Sequence, residues 1–253
     1  MSDYVSKRDP ALRGRFALIM AVAIAALGWV MMTISSSPAV KGASFLWLPA
    51  ALQLVVGVWL GPWWGLLAGG VGAYASGILA YGGWGPTDII QNLIAGGVAN
   101  AMLPAFLFTW LKIDPTFGAK KPGDVLNGAI RMLILTVLVL VAGLLTTLPS
   151  LSGLGSWGYA IPLVVLVAGA FALLRGLTLN QGDLIKGVVV AVVVCLISAI
   201  IGAIGATVGG MPFEAALVQV SIGWFAGDVV SAILGLFLLP MFTQRLRDAG
   251  IAQ

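Results

Sequence analysis

The fold of this chain is decided by residues 45–81, FLWLPAALQLVVGVWLGPWWGLLAGGVGAYASGILAY. This run of 37 residues has no charged side chain, and its one clear break is Gly61-Pro62. A continuous α-helix of that length would measure about 55 Å at 1.5 Å per residue, whereas the hydrocarbon core of a bilayer is about 30 Å thick. Because proline interrupts the helical hydrogen-bond ladder, we predict a hairpin of two helices that turns at Gly61-Pro62.

The composition of the whole chain points to lipid as its solvent. Apolar residues make up 60% of the 253 residues and charged residues 9%, against about 45–50% and about 25% in soluble domains. Thirteen basic and nine acidic side chains are too few to cover a water-facing surface. We therefore predict an all-α, polytopic integral membrane helix bundle, a single transmembrane domain over residues 1–253, in the plasma or inner membrane of the cell.

Eight segments are apolar enough to cross a bilayer, which takes about 20 helical residues with every backbone polar group paired inside the segment. The predicted spans are 16–34, 45–61, 62–81, 87–111, 127–148, 157–175, 184–208 and 214–241. The first could instead be a signal peptide, but its apolar run exceeds the usual core of roughly 7–15 residues. Residues 112–128 are expected to form an irregular loop.

The basic residues give the expected orientation, because Lys and Arg near span ends concentrate on the cytoplasmic side. With eight crossings, only Lys41 of the thirteen basic residues falls on the outer side. The other basic residues are Lys7, Arg8, Arg13, Arg15, Lys112, Lys120, Lys121, Arg131, Arg175, Lys186, Arg245 and Arg247. We therefore predict that both termini are cytoplasmic.

Several function classes are disfavoured by the residues that the chain lacks. It has no histidine and a single cysteine, Cys195, so imidazole bases, a histidine-ligated metal and a thiolate cluster are excluded. No phosphate-binding loop or paired-carboxylate signature is present. The net charge of +4 follows from the topology and does not indicate nucleic acid binding. We expect no enzyme activity, no metal and no cofactor.

Asp228 is the ionisable residue that most needs an explanation, because it lies near the middle of the eighth span, where a charge is costly. Three alternatives stay open: it is protonated, it is hydrogen-bonded to a buried partner, or it faces a wet cavity. Candidate partners within the bundle are Gln53, Tyr74 and Asn100.

Other polar and aromatic side chains are expected at the outer ends of the spans. Asp88 lies at the outer mouth of the fourth span and Asn92 one turn deeper, while Trp84 and Trp157 share the outer level. Interfacial anchoring is the simpler explanation for the tryptophans. Together with Asp228, these side chains are our candidates for a solute pocket open to the outside.

Small residues repeat at helical spacing in the spans, which favours close helix packing in lipid. Gly65, Gly69, Gly72, Ala73 and Gly77 form one face of the third span. The first span carries a second set at four-residue spacing. This alanine stripe consists of Ala17, Ala21 and Ala25. It serves either internal packing or docking onto another membrane subunit.

Two stretches carry a family resemblance. Residues 45–51, FLWLPAA, and 61–69, GPWWGLLAG, resemble the hairpin of the second and third helices in substrate-binding S components of energy-coupling-factor vitamin transporters. In that family a small-residue stripe on the first helix contacts a transmembrane coupling subunit, and the alanine stripe fits this pattern. The resemblance implies capture of a small vitamin-like molecule from outside, with import driven by separate ATPases.

A second resemblance covers other residues. Trp47-Leu48-Pro49 and residues 224–228, WFAGD, are similar to the membrane-associated sensor domain that precedes some bacterial histidine kinases and diguanylate cyclases. That domain commonly has eight helices, whereas S components typically have six. Because no kinase or cyclase follows the last span, we expect a transporter subunit. The alternatives are a stand-alone membrane sensor and a passive channel or lipid-handling protein.

Overall fold

The computed structural model describes residues 9–34, 47–83, 85–119, 122–145, 153, 160–174 and 177–252. Within this part of the chain, eight long helical segments account for the architecture and no strand occurs. They are α1 (Pro10–Ile34), α2 (Pro49–Leu60), α3 (Pro62–Tyr81), α4 (Pro86–Trp110), α5 (Pro122–Leu145), α6 (Ala160–Leu174), α7 (Gln181–Val208) and α8 (Phe213–Asp248). The predicted all-α class is confirmed for the described residues.

Four of the described helices, α1, α4, α7 and α8, are long and apolar enough to cross a membrane. Helix α2 is much shorter, since its 12 residues cover about 18 Å at 1.5 Å per residue. These lengths are compatible with a membrane protein. Eight full crossings and cytoplasmic termini stay predictions.

The predicted break between α2 and α3 is confirmed. Gly61 has φ 84°, a left-handed value that glycine adopts without steric cost, and its N–H donates to the Gly57 carbonyl at 2.8 Å. Pro62 then begins α3, at a position where its missing N–H costs nothing.

The expected irregular loop at 112–128 is partly wrong, because α5 already begins at Pro122. Proline is favoured in the first turn of a helix, and this one opens the helix rather than extending the loop. The preceding segment is held under the bundle by Phe117, which is fully buried. Its carbonyl accepts from the Asn180 N–H at 2.8 Å.

Small residues bring the helices into backbone contact, as their spacing predicts. A Cβ added to Gly65 would lie 2.6 Å from the Gly57 Cα, and one added to Gly69 would lie 2.6 Å from the Ala101 Cβ. Helices α2, α3 and α4 therefore pack at separations that larger side chains would prevent.

Six of the described helices form a core, and the other two form a pair packed on its side. Helices α1 to α4, α7 and α8 pack on one another, whereas α6 packs mainly on α5, and α5 packs on α8. Arg13 lies at the start of α1, and its guanidinium donates to the Leu60 carbonyl at the end of α2. A cation is favourable at a helix C-terminus, so the expected cytoplasmic ends of these two helices are joined.

Candidate functional site

Four buried polar side chains from four helices meet inside the core. They are Gln53 of α2, Asn100 of α4, Ser198 of α7 and Asp228 of α8, and none is more than 3% exposed. We call them the polar cluster. Asp228 Oδ2 accepts from Asn100 Nδ2 and from Ser198 Oγ, both at 3.0 Å. Hydrogen bonding to a buried partner, one of the alternatives for Asp228, is therefore what the structure shows.

The hydrogen bonds of the cluster continue to Gln53. Asn100 Nδ2 lies 3.3 Å from Gln53 Oε1 and 3.1 Å from Ser198 Oγ. Two buried atoms are left over, since Gln53 Nε2 and Asn100 Oδ1 have no partner among the described residues. An unpaired buried donor or acceptor costs free energy, so such atoms are rare in folded proteins and call for an explanation.

The polar cluster borders a cavity that contains about 400 Å³ of empty space, its open mouth included. Asp228 is the one ionisable side chain among the described lining residues. The lining residues are Met32, Trp47, Gln53, Ala73, Gln91, Asn92, Ala95, Gly96, Asn100, Ser198, Trp224 and Asp228. In the described part of the chain, no group of His, Cys, Asp and Glu side chains is arranged to hold a metal ion.

Helix α4 supplies five of these lining residues because part of it is wound as a π-helix. Residues Ile89–Met102 have this winding, in which hydrogen bonds join residues five apart. The lining positions of α4 recur every four or five residues, as that wider turn requires. They are Gln91, Asn92, Ala95, Gly96 and Asn100.

Glycine at position 96 makes room for the Gln53 amide. A Cβ on Gly96 would lie 2.7 Å from Gln53 Nε2 and 2.6 Å from the Ala73 Cβ. Both distances are shorter than a van der Waals contact. The amide of Gln53 can therefore sit beside the cavity only because residue 96 has no side chain.

Helix α8 holds its lining residues through contacts with α7 and with the start of α2. The Trp224 ring packs on Gly202 of α7, where an added Cβ would lie 2.5 Å from the ring. The Gly227 carbonyl accepts from the Trp47 N–H at 3.3 Å and from Ser231 Oγ at 2.9 Å. The bond from Trp47 places this residue beside the turn of α8 that carries Asp228.

The candidate binding residues fall in three different places. Asn92 and Asp228 both line the cavity. Asp88 is not among the lining residues, and its Oδ2 accepts from the Gly85 N–H at 3.0 Å at the start of α4. It therefore caps a helix, a role typical of an aspartate in the first turn. Trp84 and Trp157 lie outside the described residues.

The alanine stripe faces the interior of the bundle. Ala17, Ala21 and Ala25 are each at most 9% exposed, and the Ala21 carbonyl would lie 2.7 Å from a Cβ on Gly72 of α3. Internal packing is therefore the arrangement seen here. The outward face of α1 carries larger side chains, among them Leu18, Ile19 and Val22.

Sequence reasoning missed part of the site. Gln53 and Asn100 are predicted only as hydrogen-bond partners for Asp228, and Ser198 is not assigned to the pocket. Trp47 and Trp224 were not assigned to the pocket. The sequence does carry a signal for the two amides, because burying an amide side chain in an apolar span costs free energy, and such side chains usually face the bundle interior.

Comparisons with models of known protein families, with curated protein sequences and with solved structures found no match.

Proposed function

We propose that this chain is the solute-binding membrane subunit of a small-molecule uptake transporter of the energy-coupling-factor type. One observation carries the proposal: amide, hydroxyl and carboxyl groups from four helices converge on a cavity, and two amide atoms there lack a partner among the described residues. Small-molecule sites combine apolar walls with a few convergent polar groups in this way. A bound solute would give those two atoms the hydrogen bonds that the protein alone does not provide.

The set of helices around the cavity supports this proposal. The described lining residues come from α1, α2, α3, α4, α7 and α8, together with Trp47, which lies two residues before α2. None comes from α5 or α6. Six helices is also the number typical of S components. Helices α5 and α6 would then be an addition beside a six-helix binding unit.

The depth of the cavity fits capture from the outside. Met32 is near the end of α1, Trp47 precedes α2, and Gln91 lies in the second turn of α4. In the predicted topology these three positions are all in the outer half of the membrane. Cysteine labelling from either side, at Gly83 and at Arg131, tests this: Gly83→Cys should react from outside and Arg131→Cys only from inside.

If the alanine stripe docks onto a coupling subunit, the helices around it must first move apart. Because Ala17, Ala21 and Ala25 are buried on α1 and this helix packs mainly on α3, we expect that a coupling subunit can reach them only if α1 and α3 separate. A disulfide engineered between α1 and α3 should therefore block uptake while leaving solute binding intact. If uptake persists with that disulfide formed, the stripe is not the docking surface.

The central test is solute retention followed by reconstituted uptake. Native mass spectrometry of the detergent-purified protein should show a bound small molecule, and uptake should require a coupling subunit with its ATPases. Asn100→Leu and Gln53→Met should lose the bound molecule. Thr136→Val is the control, because Thr136 is buried in α5 and bonds only the Met132 carbonyl of its own helix among the described residues.

The same experiments would identify a different function. Co-purification with a kinase or cyclase whose activity the chain alters, without uptake, would favour a membrane sensor. Ion conductance or retained lipid, without a bound small molecule, would favour a channel or lipid-handling protein. Either result would overturn the transporter proposal.

A further inference from the structure

We propose that the cavity selects an uncharged solute through a lactam-like or amide edge, in which an N–H donor sits next to a C=O acceptor. This inference rests on the proposed solute-binding function and adds the chemical class of the ligand. It starts from the two partnerless atoms of the polar cluster, since Gln53 Nε2 can only donate and Asn100 Oδ1 can only accept. A ligand that satisfies both must present one acceptor and one donor side by side.

The direction of the hydrogen bonds is set by Asp228. Asp228 Oδ2 accepts from both Asn100 and Ser198, so the amide nitrogen of Asn100, and not its oxygen, must face the carboxyl group. Asn100 therefore turns its Nδ2 toward Asp228 Oδ2 at 3.0 Å, which directs its Oδ1 away from the carboxylate. Asp228 in this arrangement is a positioning residue, which acts on the solute through Asn100.

The orientation of the Asn100 amide also sets the orientation of the Gln53 amide. Because Asn100 presents its amide nitrogen, Gln53 receives it with Oε1 at 3.3 Å, and Gln53 Nε2 is left for another partner. The Nε2 atom also lies against Gly96, a lining residue of the cavity. The cluster therefore holds one donor and one acceptor in fixed orientations beside the cavity.

The charges around the cavity favour an uncharged solute. No described lining residue is basic, so a carboxylate or phosphate would be desolvated without a counter-charge, at a large cost in free energy. The Asp228 Oδ2 atom already accepts from Asn100 and Ser198. A cation offers no acceptor to Gln53 Nε2, so it would leave that buried donor unpaired.

The rest of the lining suits an apolar ring. Trp47, Trp224 and Met32 border the cavity together with Ala73 and Ala95. Aromatic and thioether side chains pack well against flat or saturated rings. A cyclic amide, with its polar edge on Gln53 and Asn100, matches both parts of the lining.

The test uses four probes of similar size: δ-valerolactam, N-methyl-δ-valerolactam, benzoate and N-methylpyridinium. Each is titrated into the detergent-purified protein and followed by saturation-transfer difference NMR. N-methylation removes the donor and leaves the Asn100 acceptor unsatisfied, so δ-valerolactam should bind at least about tenfold more tightly than its N-methyl derivative. Benzoate and N-methylpyridinium should bind more weakly than the lactam.

Three variants connect that preference to the site. Asn100→Leu and Gln53→Met should each abolish the discrimination between the two lactams, and Thr136→Val should retain it. Circular dichroism and gel filtration establish that each variant is folded. If Asn100→Leu does not fold, Gln53→Met alone tests whether the discrimination depends on the polar cluster, because this variant keeps the shape of the side chain and removes the donor.

Failure of this inference differs from failure of the proposed function. If native mass spectrometry finds a bound solute but the lactam shows no saturable binding, or binds no better than its N-methyl derivative or the ions, the ligand class is wrong and solute binding stands. If no solute is retained, no probe binds and no transport occurs, the proposed function fails as well. Probe binding that is equal in wild type and in both cluster variants would mean that Gln53 and Asn100 bond only water.

Discussion

Helices α2 and α8 each contribute polar groups to the interior at two levels, and these levels differ in how their polar atoms are paired. At the level nearer the end of α2, which we expect to be cytoplasmic and call the inner level, Trp59 Nε1 donates to Thr243 Oγ1 at 2.9 Å. Both residues are buried. At the other level, which we call the outer level, the polar cluster leaves two atoms beside a cavity without a partner among the described residues. A buried polar pair that satisfies itself stabilises the fold, whereas one that keeps unused hydrogen-bonding capacity marks a site.

The largest loss of stability is expected at Gly57, which lies between the two levels. Gly57 lies between Gln53 and Trp59 on α2, and a Cβ there would be 1.8 Å from the Ala101 carbonyl oxygen of α4. Because the obstacle is backbone, Gly57→Ala should lower the free energy of unfolding by about 3 kcal/mol or more. Denaturant unfolding in detergent measures this. Gly123→Ala is the control, since an added Cβ there meets no atom of the described residues within 4 Å. Equal losses in both variants would contradict the prediction.

The inner pair should affect stability and leave binding unchanged. Thr243→Val keeps the shape of the side chain but leaves the buried Trp59 N–H without its acceptor, which costs about 2 kcal/mol. The same unfolding experiment measures this loss, and a solute titration should give the wild-type dissociation constant. Weakened solute binding with unchanged stability would show that the two levels are not separate.

The outer cluster should give the opposite result. Ser198→Ala removes one of the two donors to Asp228 Oδ2, while the Asn100 donor stays. We expect a loss of about 1 kcal/mol in unfolding free energy and a rise of several-fold in the solute dissociation constant. Ser231→Ala is a matched control on α8, since Ser231 is also fully buried but bonds the Gly227 carbonyl of its own helix. A larger effect on binding in Ser231→Ala than in Ser198→Ala would contradict the assignment.

The smallest effect on stability is expected for Asp228→Asn, which keeps the shape of the side chain and retains an acceptor oxygen. Its unfolding free energy should stay within about 1 kcal/mol of wild type, because the amide oxygen can still accept the hydrogen bonds of Asn100 and Ser198. Binding should change more than stability does. The new amide can donate a hydrogen bond, so the Asn100 amide is free to turn its oxygen toward residue 228. The preference for δ-valerolactam over its N-methyl derivative should then decrease.

If Asp228→Asn binds with the wild-type affinity and keeps the wild-type preference for δ-valerolactam over its N-methyl derivative, Asp228 is not part of the proposed site. Asp248→Asn, at the exposed inner end of α8, controls for the change in net charge. A stability loss of about 3 kcal/mol or more with unaltered preference would assign Asp228 a purely structural role.

The parts of this structure that follow from local rules were predictable from the sequence. Gly61-Pro62 specifies its own break through glycine φ and proline geometry, and Asp228 is conspicuous because charge is costly at its depth. The convergence of Asn100 on Asp228 was not predictable in the same way. It depends on the π-helical winding of Ile89–Met102 and on which helices become neighbours. Asp88 is not among the lining residues of the cavity, and a capping aspartate and a pocket aspartate look alike in the sequence.

The partnerless atoms of Gln53 and Asn100 also have a consequence for the lifetime of the protein in the cell. A solute that binds only the folded chain stabilises it by mass action, by about 2.7 kcal/mol when its concentration is a hundred times its dissociation constant. The abundance of the protein would then follow the supply of its solute. Scarcity would expose more copies to unfolding and to degradation by quality-control proteases.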